Sequence, residues 1–292
     1  MDITVIIPVY NGGAFLAEAL GSVRVQTLPP AELIVADDGS TDGSAGIAGA
    51  FAEQAPFPVR VLRLPHRGVC ATRNALFAEA RNAWVFNLDA DNKIEPDFLE
   101  KISSFAAERA ADPDFAFAYP DRLTFGDYAQ LRRAEEFDAA KFKRGNIVDT
   151  NCLFRAEAAR RFGFDPAFEE GSWEDYDFFL TLARAGHTGA AFHGSPLLYR
   201  VHCASRTASS DRSALMRRLV AKHAGFWTPA EADEICRLYS PEAMARFRLF
   251  ELMWSKRYGA MLAFAAKCLF AKPRVFFSKD GIPKLLGFGG AK

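Results

Sequence analysis

Cysteine is scarce in this 292-residue chain, and the five present are poorly arranged for cross-linking. Cys70, Cys152, Cys203, Cys236 and Cys268 are odd in number, widely spaced and form no C-x-x-C pair. That argues against a disulfide framework or a zinc site and suits a reducing cytosol. Net charge is lacking too: 36 Lys and Arg balance 36 Asp and Glu, so no global field recruits nucleic acid. No apolar run reaches the roughly 18 uninterrupted residues of a membrane span, and the chain is expected not to cross a bilayer. It opens on Ile3-Thr4-Val5-Ile6-Ile7 without a basic leader, which reads as a first strand rather than a signal peptide. Two nucleotide signatures are also missing. No G-x-G-x-x-G follows the first strand, which disfavours a dinucleotide dehydrogenase. No G-x-x-x-x-G-K followed by Ser or Thr occurs, which excludes a P-loop ATPase.

What is present is ordinary globular material, 50% hydrophobic and 25% charged, enough for one large domain or a domain with an appendage. The charge is unevenly spread. Residues 1–204 carry 20 basic against 29 acidic side chains, and residues 205–292 carry 16 against 7. Along the first part, apolar runs alternate with helical spacing. Strands are expected at Ile3–Val9, Leu33–Ala36, Val59–Leu64 and Trp84–Leu88. Helices are expected after Asn11-Gly12-Gly13, from a cap at Thr41 or Asp42 through Glu53, and over Val69–Ala80. This rhythm predicts a parallel α/β sheet with right-handed crossovers. After Pro113 the pattern loosens. Phe115–Tyr119 reads as a strand, Asp121–Gly145 as a polar loop over a site, Cys152–Arg155 as a strand, and Ala156–Phe162 and Asp175–Gly186 as helices. Leu197–Val201 returns to the sheet, and everything from Ser205 onward reads as helical.

In such a sheet ligands sit beyond the carboxyl ends of the strands, and three polar clusters fall there: Tyr10-Asn11, Asp37-Asp38 and Asp89-Ala90-Asp91. Two carboxylates one residue apart on a bending strand end can reach one hard cation, which a diphosphate leaving group needs as negative charge builds on it. Acidic residues after the second strand repel phosphate but can accept hydrogen bonds from a base or ribose; a polar turn with a helix cap is the plainer alternative. Asp175 opens a helix and suits either a cap or a carboxylate facing a cleft. Trp173 either stacks on a sugar or fills the core. His187 and His193 read as structural, and His202 as structural or as a metal ligand.

Four motifs in order, Val5-Ile6-Ile7-Pro8-Val9-Tyr10-Asn11-Gly12, Val35-Ala36-Asp37-Asp38-Gly39-Ser40-Thr41-Asp42, Gly68 with Arg73-Asn74, and Leu88-Asp89-Ala90-Asp91, resemble the nucleotide-sugar-binding half of family 2 glycosyltransferases. The resemblance continues through Phe164-Asp165, Trp173-Glu174-Asp175-Tyr176-Asp177, Gly186 and Tyr199-Arg200-Val201-His202, and stops near Ser205. It implies a GT-A-type, mostly parallel Rossmann-like sheet. It further implies Asp38 on the base, with Pro8, Tyr10 and Asn11 lining the same pocket, Arg73 near the nucleotide, and Asp89 towards ribose and sugar. Asp91, with His202 in some members, would hold a divalent metal (manganese or magnesium). Asp175 would be the general base, supported by Glu174, and the anomeric centre would be inverted.

The expectation is therefore a catalytic domain over residues 1–204 (nucleotide-sugar half 1–112, acceptor half 113–204) and a helical C-terminal region over 205–292. The donor would be a nucleotide-diphosphate sugar, UDP-linked by preference, and the acceptor a carbohydrate or lipid-linked saccharide hydroxyl. Two alternatives are a catalytically silent binding protein on the same fold and a nucleotidyltransferase; the latter needs basic residues in the first loop, where Asn11-Gly12-Gly13-Ala14 supplies none. Within 244–288, Phe, Trp, Leu and Met alternate with Lys and Arg, which suits either a helix in a membrane interface or one packed on protein, including a second copy. A cytoplasmic protein, peripheral on the inner face of the cell membrane if that tail meets lipid, is the expected location.

Overall fold

The computed structural model describes residues 1–171, 173–201 and 212–240. His202 and the basic, aromatic stretch 244–288 lie outside the described residues. The chain divides into two compact units, Met1–Ser210 and Asp211–Lys292.

The first unit is built on one curled mixed sheet. Its strands are β1 (Ile3–Val9), β2 (Glu32–Asp37), β3 (Val59–Arg63), β4 (Trp84–Asn87), β5 (Lys93–Ile94), β6 (Phe115–Gly126), β7 (Leu131–Arg132), β8 (Leu153–Arg155) and β9 (Thr188–Val201). The order is β3-β2-β1-β4-β8-β6-β9-β5, with β7 hairpinned onto β6. Pairing is parallel through β3-β2-β1-β4 and along the long β6–β9 ladder, and antiparallel in short joints to β5, β7 and β8. Most paired residues are therefore in parallel register, as expected.

Strand β1 is buried at every position, because its β-branched run lies centrally between β2 and β4 and is covered on both faces. The crossovers are helices α1 (Gly13–Arg24), α2 (Ser44–Gln54) and α3 (Val69–Glu79). After β4 come α4 (Phe98–Ala107), α5 (Ala139–Phe142), α6 (Ala156–Phe162), a 3-10 turn at Pro166–Gly171 and α7 (Glu174–Arg184). Helix α4 buries Phe98, Leu99, Ile102 and Ala106 on one face, where Phe98 packs 4.9 Å from Phe86 and 5.8 Å from Phe192 between ring centroids.

Three expectations need correcting. Asp121–Gly145 is not one loop: β6 runs on to Gly126, turns into β7, and α5 follows. Polar residues persist in that strand because they are satisfied, Asp121 accepting from Ala134 N at 2.7 Å and lying 2.8 Å from His193 Nδ1. Strand β9 begins at Thr188, well before Leu197. Helix α2 starts at Ser44 behind a left-handed Gly43, so neither Thr41 nor Asp42 is its N-cap residue. Asp42 instead joins two helix starts, accepting from Gly13 N at 2.8 Å and Ser44 N at 3.1 Å.

The second unit contributes α8 (Arg212–Lys222) and α9 (Pro229–Leu238) to the description. Helix α9 opens on a capping box between Thr228 and Glu231 with Pro229 in its first turn, which satisfies end N–H groups reciprocally. No helix among the described residues is long and apolar enough to cross a membrane.

Candidate active site

The crevice begins where β4 stops. Ile6 O accepts from Leu88 N and Val9 O from Asp38 N, both at 2.9 Å, so even-numbered residues of β1 face β4 and odd-numbered ones face β2. Pro8 lies beyond the last β1–β4 pair, Ile6 with Asn87, and its missing N–H falls on the side where the partner has ended. A proline inside a central strand is tolerated for that reason. Chain order also reverses here, β2 and β3 lying to one side of β1 and β4 to the other, the usual ligand position in open α/β sheets.

The loops after β1 and β2 are tied together on this rim. Asn11, left-handed at φ 48°, accepts from Thr41 N through its Oδ1 at 2.8 Å, and its own N–H donates to Ser40 Oγ at 2.9 Å. Tyr10 is half exposed and stacks on the His66 ring at 4.0 Å. Asp38 is only 2% exposed. Its carboxylate accepts from Arg67 N and Gly68 N at 2.9 Å each and lies 2.9 Å from His66 Nδ1. Asp38 thus holds the 66–68 loop in place, with most of its hydrogen-bonding capacity committed inside the protein.

Deeper in, Arg73 on α3 is a buried hub. Its guanidinium donates to Glu174 Oε1 at 3.1 Å, Asp89 Oδ1 at 2.9 Å and Thr150 Oγ1 at 3.1 Å, and it lies 5.2 Å from the Phe164 ring centre. Burial alone would lower its pKa, but Asp89 and Glu174 outweigh that and raise it. Arg73 stays a cation joining α3, the end of β4 and the start of α7. Asp89 is held from its other side by Asn151, which donates to Oδ2 at 3.0 Å and accepts from Asp89 N at 2.8 Å.

Asp91 follows on a half-buried turn pinned to β9, where Arg200 Nε donates to Asp91 O at 3.0 Å and Arg200 N to Asn92 Oδ1 at 2.9 Å. The chain carrying Asp91 is thereby fastened two residues before His202. Among the described residues no cluster of three or more His, Cys, Asp or Glu could cage a metal, and Asp89 is engaged with Arg73 and Asn151. The fit is to a hard cation that takes one oxygen donor from Asp91 and others from a bound diphosphate, rather than to a closed cage.

Asp175 sits in the first turn of α7, partly open, and accepts from Tyr176 N at 2.6 Å. Burial, then the Glu174 and Asp149 carboxylates, push its carboxyl up to about 8. Trp173 is 8% exposed with its ring 5.8 Å from Tyr176, so it fills the core. His193 pairs with Asp121, and His187 packs edge-on to Phe162; both are structural, as expected.

The sequence reading missed His66, Asp149, Thr150 and Asn151. The last three precede the short strand β8, and the polar triplet Asp149-Thr150-Asn151 reaches the rim because β8 runs antiparallel to β4, so a rule based on the carboxyl ends of strands passes over it. His66 had no such marker, because only the fold brings it onto Tyr10.

Comparison with known proteins agrees with this geometry. The glycosyltransferase EpsH of Bacillus subtilis is 30% identical over 225 residues, covering 70% of this chain and 62% of that protein. Across the curated relatives the match spans from 16% to 62% of their length. TarS from S. aureus (residues 1–349), solved with UDP-GlcNAc, superposes with a TM-score of 0.64 at 19% identity, over 82% of this chain and 71% of that one. The mannosyltransferase PcManGT from Pyrobaculum calidifontis, solved with GDP-Man and Mn2+, gives 0.57 at 19% identity, over 93% and 81%. The family model for glycosyl transferase family 2 matches residues 4–163, more than half of the chain, and the protein belongs to that family.

Proposed function

We propose that the protein moves a glycosyl group from a nucleotide-diphosphate sugar, UDP-linked by preference, to a saccharide hydroxyl with inversion at the anomeric carbon. The observation that carries the reading is the place of Asp175 in the first turn of α7, next to Glu174, which the buried Arg73 ties to the end of β4: a carboxyl of raised pKa fixed by the hub that orders Asp89 and Glu174. In this reading the catalytic domain spans 1–204. Pro8, Tyr10 and Asn11 line the base pocket, and Asp38 bounds it through the loop it holds. The Tyr10 face now covered by His66 is a natural stacking surface for a base. Asp89 faces ribose and sugar. Asp91, with His202 as a further ligand, would hold the divalent ion, manganese or magnesium, which screens charge on the departing diphosphate.

Asp175 takes the acceptor's proton. A general base works best when its pKa lies near the working pH, and contributes about 10²–10⁴ in rate. A carboxyl at about 8 is far more basic than an ordinary one. Glu174 supports it by anchoring α7 to Arg73.

The test is the melting temperature with UDP, GDP, CMP, ADP and dTDP, each with and without manganese, for the wild type and Asp91→Ala. A ligand at about 100 times its Kd stabilises by about 2.7 kcal/mol. The expected result is a shift for UDP that needs manganese and disappears in Asp91→Ala. No shift with any nucleotide would sink the donor reading.

A further inference from the structure

A polar cleft is lined by Tyr119, Arg122, Arg132, Arg133, Asp149 and Asn151, and Asn151 is the residue that also bonds Asp89. Its charge is out of keeping with its surroundings. Residues 1–204 are acidic overall, 20 basic against 29 acidic, yet three arginines line this cleft. Arg122 and Arg132 are directly opposite each other in the β6–β7 ladder. Like charges in that position destabilise a strand pair. Arg122 lies 3.5 Å from Asp149, and Arg133 lies 3.6 Å from Asp121. Asp121 is itself shared with His193 and Ala134. Arg132 is exposed, with no ion pair or side-chain hydrogen bond among the described residues. The hairpin thus holds two facing arginines whose repulsion is only half relieved from within.

The cleft is also in register with the chemistry. Asn151 lines it and bonds Asp89 at 3.0 Å, and Asp149 lines it while acting electrostatically on Asp175. A group seated among the arginines would therefore belong to a molecule whose neighbouring hydroxyl can approach Asp175. In the transferase reading the donor diphosphate would sit at the ends of β1, β2 and β4, next to Asp89, which Asn151 bonds. Guanidinium forks match carboxylate and phosphate oxygens in two-point contacts.

We propose that Arg122, Arg132 and Arg133 form an acceptor subsite for an oxyanion, so that the acceptor saccharide carries a carboxylate or a phosphate next to the hydroxyl that is glycosylated. This rests on the transferase reading above.

The test is an NMR titration of the full chain with methyl β-D-glucuronide, glucose 6-phosphate and neutral methyl β-D-glucoside, each with and without UDP and magnesium, for the wild type, Arg132→Gln, Arg133→Gln and the double variant. Both substituted residues are exposed, and unchanged melting temperatures will verify that the variants are folded. The expected result is binding of at least one anionic sugar about tenfold tighter than the neutral one, with that preference lost in the double variant. The tighter of the two anions identifies carboxylate or phosphate as the source. Equal affinity for neutral and charged sugars, or a preference surviving in the double variant, would overturn the proposal, as would displacement of the anionic sugar by UDP, which would put the arginines in the donor site. The UDP melting shift, read on the same samples, is independent: its absence alongside an intact anion preference would sink the donor reading and leave an arginine oxyanion site.

Discussion

Asp175 ties stability to pH through a single carboxyl. Its pKa of about 8 stands above the ordinary 3.8, so the folded protein binds more protons than the unfolded chain between those values. The stability linked to this group is full below about pH 4 and is lost as pH rises through 8. Asp175→Asn cannot ionise and escapes that loss. Its melting temperature relative to wild type should climb from pH 5 to pH 9 by at least about 3 °C, while glycosyl transfer falls by about 10² or more and UDP binding is retained. Calorimetry at pH 5, 7 and 9 decides it; a constant difference would mean that the carboxyl is not raised. In the wild type, kcat/KM should rise with pH up to about 8. Arg73 is the opposite case, a charge that is indispensable because it is paired. Arg73→Met leaves buried Glu174 and half-buried Asp89 beside no cation, which costs about 3–5 kcal/mol and should lower the melting temperature by about 10 °C. Arg73→Lys keeps the charge but not the fork that reaches Glu174, Asp89 and Thr150 together, and should fall between. A melting temperature unchanged in Arg73→Met would remove the hub from the account.

Among the elements, α3 has the most distinctive start. Glu169, from the 3-10 turn, accepts from Val69 N at 2.7 Å and Cys70 N at 3.1 Å, placing a carboxylate at the helix N-terminus across a long sequence separation. Gly68 makes room for it: φ is +88°, and a Cβ there would collide with the Glu169 carboxylate. Glu169→Ala should cost about 1–2 kcal/mol. Gly68→Ala should cost more, combining collision with left-handed strain. In the Glu169→Ala background the added cost of Gly68→Ala should shrink to the strain alone. Denaturant melts of the four proteins form a double-mutant cycle, and additive effects would show that the collision does not matter. This cap was not legible in the sequence, because nothing in the Glu169 neighbourhood marks a partner a hundred residues away. Strands β1, β2 and β4 were legible, since burial on both faces leaves continuous apolar runs. Strand β6 was read too short because Asp121 and Arg122 interrupt its run, and the start of β9 was hidden by Gly189, Ala190 and Ala191, which have weak strand preference. Helix α4 went unread although Phe98, Leu99, Ile102 and Ala106 carry helical spacing. Tyr10, Asn11, Asp38, Asp89 and Asp91 could be placed on the rim from position alone, as polar groups at strand ends, whereas Pro8 entered only through the family resemblance. The engagement of Asp38 and Asp89 with their own protein was not, because it depends on Arg67, Gly68, Asn151 and Arg73 arriving from other elements.

At the scale of the whole molecule, charge and compactness divide the chain at the same place. The unit Met1–Ser210 carries 21 Lys and Arg against 29 Asp and Glu, and Asp211–Lys292 carries 15 against 7, so a neutral protein joins a front of formal charge −8 to a rear of +8. The described core of the first unit draws on β1, β2, β4, α1 and α4, all within its own span, and every strand of the sheet belongs to it. A unit with its own hydrophobic core has what independent folding requires. A chain ending at Ser210 should therefore melt cooperatively and keep the manganese-dependent UDP shift of the full chain. If the rear is the part that meets anionic lipid, the full chain should co-sediment with vesicles containing phosphatidylserine at low salt and release them as ionic strength rises, while the truncated chain stays in solution. Sedimentation of both forms would locate lipid contact in the front unit. Loss of the UDP shift on truncation would show that the donor site needs residues beyond Ser210, and the catalytic boundary near residue 204 would have to move toward the C-terminus.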